Sequence, residues 1–372
     1  MRIGIFGGTF NPPHITHNTI IENAISELQL DKMIVIPNGI PPHKPCDVDK
    51  ATRLKLCELA FSNIPKVEIS RYEIDKDGES YSFLTLQHYK KMYQDSELFF
   101  LIGMDSLRDF HKWKNPQEIA DIATLAVCAR VGIDTQDIVA EQTKRYHCKV
   151  VIVDSCVTDI SSTTIRLNYD FGIDNCAYTL PIINRYILDN FLYMSRLWLT
   201  TKLKTMLTPK RYMHSYYVTK KGLEICEEQD REKVFIACAL HDCAKYIDKK
   251  DYSKYNYANV NNLPDNIVHA ELGAYVAQKD FGISDIDILN AIRYHTTGRV
   301  AMSRLEMTVF VADKIEDNRP FETLSYNKGN LEETFIAVLD KIYHLWDSDK
   351  EDKISPETVA AYNYYIKSKG EN

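Results

Sequence analysis

The segment Gly7-Gly8-Thr9-Phe10-Asn11-Pro12-Pro13-His14-Ile15-Thr16-His17 decides the fold of the first half of the chain. It follows a short apolar run and precedes an amphipathic stretch, which predicts a strand, a glycine-rich turn and the start of a helix. Glycines let backbone N–H groups approach a phosphate, and a helix amino terminus favours negative charge. His14 and His17 would share one face of the first helical turn. The segment therefore predicts a binding site for a polyphosphate.

Short runs rich in Ile, Val, Leu and Phe recur through the first half and alternate with helix-length amphipathic segments. The runs cover residues 2–6, 32–37, 97–102, 125–129 and 149–153. This alternation predicts an α/β Rossmann-like domain, a parallel sheet with helices on both faces, in which ligands bind at the carboxyl ends of the strands.

The second half has a different pattern. Residues 196–211 contain five basic and no acidic residues, and long periodic segments follow at 210–228, 231–244, 269–281, 286–295 and 302–315. This pattern predicts an all-α domain. Because 372 residues exceed the usual size of a single core, we expect two domains, at residues 1–195 and 196–372.

Composition excludes several classes of protein. The first 195 residues carry 20 basic and 25 acidic side chains and the rest carry 25 and 27, so bulk binding to nucleic acid is not expected. The sequence contains no signal peptide and no apolar run of membrane-spanning length, which predicts a cytoplasmic protein without a membrane partner. Nine cysteines without a Cys-x-x-Cys pair argue against a disulfide framework or zinc ribbon. The oligomeric state stays open, a homodimer included.

The glycine-rich segment with its two histidines resembles the start of the nucleotidyltransferase superfamily. A second superfamily element, a serine-rich helix start before an arginine, is matched by Ile160-Ser161-Ser162-Thr163-Thr164-Ile165-Arg166. Within the superfamily, Ile40-Pro41-Pro42-His43-Lys44, Ile102-Gly103-Met104-Asp105-Ser106 and Lys112-Trp113 look like bacterial nicotinate-mononucleotide adenylyltransferase, over residues 1–192. That resemblance implies transfer of AMP from ATP, with Mg²⁺, to nicotinate mononucleotide, giving the dinucleotide and pyrophosphate.

The resemblance also implies roles for individual residues. The catalytic set would be His14, His17, Lys44 and Arg166. ATP and the second substrate would contact Gly7, Gly8, Thr9, Phe10, Lys44, Ser82, Thr85, Gly103, Asp105, Trp113, Ser161, Ser162, Thr163 and Arg166. Gly103 and Asp105 would take the ATP ribose, and Trp113 would face the nicotinate ring, although a plain core or surface-anchoring aromatic is the alternative for Trp113.

Three positions depart from the family pattern. Thr16 stands where the family usually has Gly, and Asn11 where it usually has Asp. The usual Tyr-Thr-x-Asp-Thr run is Tyr81-Ser82-Phe83-Leu84-Thr85. A β-branched side chain at Thr16, where close backbone packing is expected, could change the geometry of ATP binding.

The second half carries ligand-type side chains on separate predicted helices: His214, His241, Asp242, His269, His295 and Asp313. Four imidazoles with two carboxylates suit Fe, Mn or Zn better than Mg or Ca, and they are enough for two metals. Lys245 lies four and three residues beyond His241 and Asp242, so a helix would place all three on one face.

These residues resemble the HD phosphohydrolase superfamily. The surrounding strings 210–215, 240–245, 269–274, 291–299 and 312–316 look like the bacterial HD family that splits diadenosine tetraphosphate symmetrically into two ADP, over residues 200–345. The resemblance implies that the six ligand-type side chains bind two transition metals, iron in that family. It also implies that Asp242 and Lys245 are catalytic and that Lys245 and Arg299 contact the polyphosphate. Solvated side chains are the alternative for Lys245 and Arg299, and a surface ion pair for Glu316 and Arg319.

Two other interpretations keep the folds. In the first, the amino-terminal domain transfers adenylyl to pantetheine phosphate or another acceptor, and the carboxy-terminal domain is a different nucleotide phosphohydrolase or phosphodiesterase. The residues Pro41-Pro42-His43-Lys44 and Trp113 argue against the acceptor pantetheine phosphate. In the second interpretation the rear domain is a nucleotide sensor. The presence of ligand-type residues at all six positions argues against it.

Overall fold

The computed structural model describes residues 1–41, 46–129, 135–154, 160–257, 264–318, 330–347 and 354–366. The chain forms two compact units, Met1–Ser195 and Arg196–Asn372. Among the described residues, helices that combine the length and the apolarity needed to cross a membrane are absent.

The first unit is built on six parallel strands in the order β3-β2-β1-β4-β5-β6. The strands are β1 Arg2–Gly8, β2 Lys32–Pro37, β3 Val67–Ile69, β4 Glu97–Gly103, β5 Thr124–Ala129 and β6 Val150–Asp154. This confirms the predicted α/β fold. Strands β2 and β3 are added on one side of β1, and β4, β5 and β6 on the other. Ligands of such sheets bind in the crevice at the carboxyl ends of the strands where this order reverses, here β1 and β4.

Helices cover both faces of the sheet. They are α1 Ile15–Glu27, α2 Lys50–Phe61, α3 Ser82–Met92, α4 Met104–Arg108, α5 Pro116–Ile122, α6 Gln136–Tyr146, α7 Ser162–Asp170 and α8 Pro181–Asp189. Ile3 and Ile5 of β1 belong to the core on one face, whereas Phe6 belongs to the core on the other. The strands are apolar on both faces because neither face meets water.

The second unit is helical throughout its described part, as predicted. Its helices are α9 Leu197–Met206, α10 Pro209–Ile225, α11 Arg231–Leu240, α12 Asp265–Phe281, α13 Ile286–Arg293, α14 Arg304–Ile315, α15 Leu331–Asp347 and α16 Pro356–Tyr365. Three helices end earlier than predicted: α10 ends at Ile225, α11 at Leu240 and α13 at Arg293. His241, Asp242 and His295 therefore lie in the turns that follow α11 and α13.

Candidate functional site

The front loop and the start of α7 are held together by hydrogen bonds, although they are about 150 residues apart. Arg166 donates to the backbone oxygen of Asn11 at 2.8 Å, and Ser162 Oγ donates to the backbone oxygen of Pro12 at 2.8 Å. Ser161 is the N-cap of α7 and accepts from the Thr164 amide at 3.1 Å. The two sequence segments that suggested a nucleotide site thus meet at one helix amino terminus.

His14 and His17 stack at the start of α1, with ring centroids 3.8 Å apart. The His14 backbone N–H donates to His17 Nδ1 at 3.1 Å, which leaves the proton on His17 Nε2, where a phosphate oxygen can accept it. His14 Nδ1 is buried without a hydrogen-bond partner in the described structure. Burial lowers the pKa of His14 to about 4, and burial together with the neighbouring His14 lowers that of His17. Both rings are therefore neutral near pH 7.

Two further charged residues shape this loop, and the sequence analysis missed both. Arg53 of α2 is fully buried, and its guanidinium donates to the backbone oxygens of Thr9 at 3.1 Å and Gly39 at 2.6 Å. Asp47 pairs with Arg166 at 2.9 Å and accepts from Asn11 at 3.0 Å. An arginine on an amphipathic helix is usually solvated, so the contacts of Arg53 with the segments that follow β1 and β2 could not be predicted from the sequence.

A pocket of about 160 Å³ opens at the carboxyl ends of β1 and β4. Its lining includes five residues expected to bind substrates: Gly7, Ser82, Thr85, Gly103 and Trp113. Trp113 also packs edge-on against Phe100, with centroids 6.1 Å apart, so one aromatic serves both the core and the pocket wall.

The remaining expected contacts fall in different surroundings. The Phe10 ring is buried, with its centroid 5.5 Å from that of Phe61, so a ligand could contact Phe10 only at its backbone. Position 8 must be small, because a Cβ at Gly8 would lie 3.0 Å from the Phe10 ring. Asp105 is exposed and pairs with Arg108 at 3.3 Å. Thr16 is accommodated as a buried side chain at the start of α1. Lys44, together with Pro42 and His43, lies outside the described residues.

In the second unit the six expected metal ligands converge. His214 Nε2 lies 3.0 Å from Asp313 Oδ1 and 3.3 Å from His241 Nε2. On the other side, Asp242 Oδ1 lies 3.1 Å from His269 Nε2 and 3.7 Å from His295 Nε2. Two groups can each hold an ion, His214 with His241 and Asp313, and His241 with Asp242 and His295. The two groups overlap at His241, whose Nε2 can bind only one ion, so the described side chains form one cluster of metal-ligand type.

The imidazoles are oriented by hydrogen bonds at their other nitrogen. His241 Nδ1 donates to the Cys238 oxygen at 2.7 Å, and His295 Nδ1 donates to the Ile292 oxygen at 2.7 Å. In each case the acceptor is the carbonyl three residues earlier, at the end of a helix. This fixes the tautomer that offers Nε2 to a metal, an arrangement typical of metal-binding histidines. The donor set therefore suits divalent metals that prefer nitrogen and oxygen.

Three more charged side chains surround these ligands. Arg211 pairs with Asp242 at 2.8 Å, and Lys245 Nζ lies 3.1 Å from His269 Nε2. Glu316 is buried and lies 3.2 Å from His214 Nδ1, so it belongs to the site and not to a surface ion pair. Arg211 was missed, because an arginine one helical turn before His214 resembles any exposed helix residue.

Arg299 lies in a different setting. Its guanidinium forms two hydrogen bonds to the buried carboxylate of Glu306, at 2.6 and 3.0 Å. The sequence predicted that Arg299 contacts a polyphosphate or is solvated, and neither prediction included an ion pair with Glu306. Its expected phosphate contact stays a prediction.

Comparison with known proteins matches both units. Residues 5–168 match the Cytidylyltransferase-like family and residues 211–318 the HD domain family. A Mycoplasma genitalium protein named "Probable nicotinate-nucleotide adenylyltransferase/Ap4A hydrolase" is 30% identical over 361 residues, 92% of this chain and 98% of that protein. A Clostridium novyi protein named "Probable nicotinate-nucleotide adenylyltransferase" is 38% identical over 183 residues, 48% of this chain and 91% of that protein.

Among solved structures, an HD superfamily hydrolase described as involved in NAD metabolism, from Clostridium acetobutylicum, is 31% identical, covers 47% of this chain and 98% of its own, and gives a TM-score of 0.42. The predicted pairing of a nucleotidyltransferase with an HD domain is confirmed. Because the Mycoplasma genitalium relative is matched across nearly its whole length, the chain belongs to the two-domain family of nicotinate-nucleotide adenylyltransferase/Ap4A hydrolase proteins.

Proposed function

We propose that the first unit transfers AMP from ATP to nicotinate mononucleotide, forming nicotinate adenine dinucleotide and pyrophosphate. The observation that carries the proposal is the contact of Arg166 with the Asn11 loop, which brings both nucleotidyltransferase elements to one place beside the pocket of Trp113. A triphosphate at that place would meet His17, the α7 amino terminus and Arg166 together.

The chemistry needs positioning and charge neutralisation more than a covalent nucleophile. A phosphate oxygen of the mononucleotide forms a bond to the α-phosphorus of ATP, and the bond from that phosphorus to the bridging β-oxygen breaks, so pyrophosphate leaves. His17 Nε2 donates to the triphosphate, Arg166 and the α7 amino terminus bind its negative charge, and Lys44 adds a further cation. The Mg²⁺ that accompanies ATP neutralises part of the remaining charge.

We propose that the second unit hydrolyses diadenosine tetraphosphate symmetrically, so that one water and one substrate give two ADP. The converging ligand set supports a two-metal site, and iron is our proposal for both metals. Such metals, when bound, bind phosphate oxygens and make water acidic near neutral pH. Lys245 and Arg211 lie beside Asp242 and its histidine neighbours, where they can neutralise charge on the polyphosphate.

The test is product chromatography on the purified full chain. One reaction contains ATP with nicotinate mononucleotide, and a matched reaction replaces the mononucleotide by pantetheine phosphate. A third contains diadenosine tetraphosphate, and a fourth a cyclic nucleotide. We expect the dinucleotide in the first reaction and ADP alone in the third. AMP with ATP in the third would contradict symmetric cleavage, and binding without turnover would favour a nucleotide sensor.

We also propose that residues 1–195 and 196–372 are the functional boundaries and that the enzyme works in the cytoplasm, where ATP is available. Separate expression of each range tests the boundary, because each half should keep its own activity. Cell fractionation tests the location.

A further inference from the structure

Glu73 is a buried carboxyl group in the pocket of the first unit. Only 6% of the residue is exposed, and it lines the same pocket as Ser82, Thr85 and Trp113. Burying a carboxyl group is costly unless hydrogen bonds compensate. The partners of its two oxygens therefore indicate what the group does.

One oxygen has a partner and the other does not. Thr85 Oγ1 donates to Glu73 Oε1 at 2.6 Å, and both residues are buried. Glu73 Oε2 is buried and accepts no hydrogen bond of normal geometry among the residues that the structure describes. The nearby Ser80 hydroxyl and Gly39 N–H lower the pKa of the carboxyl group but are bonded to each other at 3.0 Å. Buried polar atoms nearly always have a partner in a working structure. A ligand in the pocket would supply one.

The segment that follows β2 packs against the backbone of Glu73 and fixes its position. A Cβ added at Gly39 would lie 2.1 Å from the Glu73 backbone oxygen, so the segment after β2 packs directly on Glu73. Gly39 is itself held by Arg53 at 2.6 Å. Burial raises the pKa of Glu73, and Thr85, Ser80, Lys76 and the Gly39 backbone oppose the rise.

We propose that Glu73 is a specificity-determining residue for the mononucleotide. Its Oε1 accepts from and orients the Thr85 hydroxyl, and its Oε2 accepts a hydrogen bond from a ribose hydroxyl of the bound mononucleotide. This rests on the proposed adenylyl transfer. We assign the ligand as the mononucleotide because the pocket contains Trp113, which is expected at the nicotinate ring. Gly103, which is expected at the ATP ribose, lines the same pocket, so the KM for ATP is the reading that separates the two ligands.

The experiment measures KM for nicotinate mononucleotide and for ATP in the full chain. Glu73→Ala should raise the mononucleotide KM about tenfold or more, because it removes two hydrogen bonds, and should change the ATP KM less than about twofold. Glu73→Gln keeps an acceptor for Thr85 and should give a smaller rise. The matched control is Asp75→Ala, an exposed carboxylate two residues away that pairs with Arg71, and it should leave both constants unchanged.

Equal rises in both KM values, or no rise in either, would overturn the proposal. Thermal unfolding checks that the variants fold. If Glu73→Ala does not fold, Glu73→Gln and Thr85→Val decide the question, since each should raise the mononucleotide KM selectively. A wild-type chain that makes no dinucleotide would refute the proposed function instead, so the two failures are distinguishable.

Discussion

The guanidinium of Arg166 lies 2.8 Å from the backbone oxygen of Asn11, across 155 residues of sequence. The same side chain pairs with Asp47 at 2.9 Å. The loop that follows β1 is thus held by α7, the helix that follows β6. Both segments carry groups that we propose bind phosphate, and this contact brings those groups together.

Replacing Arg166 with Ala should impair adenylyl transfer severely. The variant loses a cation for the triphosphate and the bond that holds the Asn11 loop, and we expect kcat/KM for ATP to fall about 100-fold or more. Steady-state kinetics with varied ATP measure the effect. The control is Arg185→Ala, because Arg185 is exposed and pairs only at the surface with Asp189 of its own helix in the described contacts. Similar losses in both variants would argue against a specific role for Arg166.

Stability should fall in mild acid partly because of His14. Burial lowers its pKa in the folded state to about 4, whereas the unfolded chain takes up the proton near the ordinary value of about 6.5. Between these values the unfolded state binds more protons, so the free energy of unfolding decreases as pH falls from 6.5 towards 4. Urea unfolding at several pH values should show a smaller decrease for His14→Gln than for wild type.

The exposed His111 supplies the control for that experiment, and His111→Gln should behave like wild type. Comparing the variants with wild type cancels the contributions of the histidines that lie away from His14. His17 adds a change of the same sign, because His14 lowers the pKa of His17. An unchanged pH dependence in His14→Gln would contradict the burial argument.

Metal content should follow the two ligand groups of the second unit. We expect about two transition metals per wild-type chain, and their removal with a chelator should abolish hydrolysis of diadenosine tetraphosphate. Asp313→Ala removes a ligand of one group and should retain about one metal, whereas Asp242→Ala removes the carboxylate whose two oxygens face His241 on one side and His269 with His295 on the other, and should retain less. Elemental analysis measures this. The exposed His344 provides a control, and equal metal content in all variants would contradict the shared-ligand geometry.

Much of the fold and of both sites could be predicted from the sequence. Five strands could be predicted because each is a run of five to seven mostly apolar residues. β3 has only three residues, Val67–Ile69, which is too short to stand out as such a run. The six candidate metal ligands could be identified because ligand-type residues recur in separate predicted helices. Their distances, and the orientation of His241 and His295 by backbone oxygens, depend on where two helices end.

The side chains that sequence reasoning missed act through tertiary contacts. Arg53 and Glu73 are ionisable residues whose burial follows from the packing of distant segments, and local sequence carries no sign of it. Arg299 illustrates the same limit, because its partner Glu306 is evident only after α14 is placed.

The most direct test of two independent sites is a crossed assay on two single variants. His17→Ala and Asp242→Ala are each assayed for dinucleotide synthesis and for hydrolysis of diadenosine tetraphosphate. We expect His17→Ala to lose synthesis and keep hydrolysis, and Asp242→Ala to do the reverse. Loss of both activities from either substitution, in protein that is still folded, would contradict the assignment of one reaction to each unit.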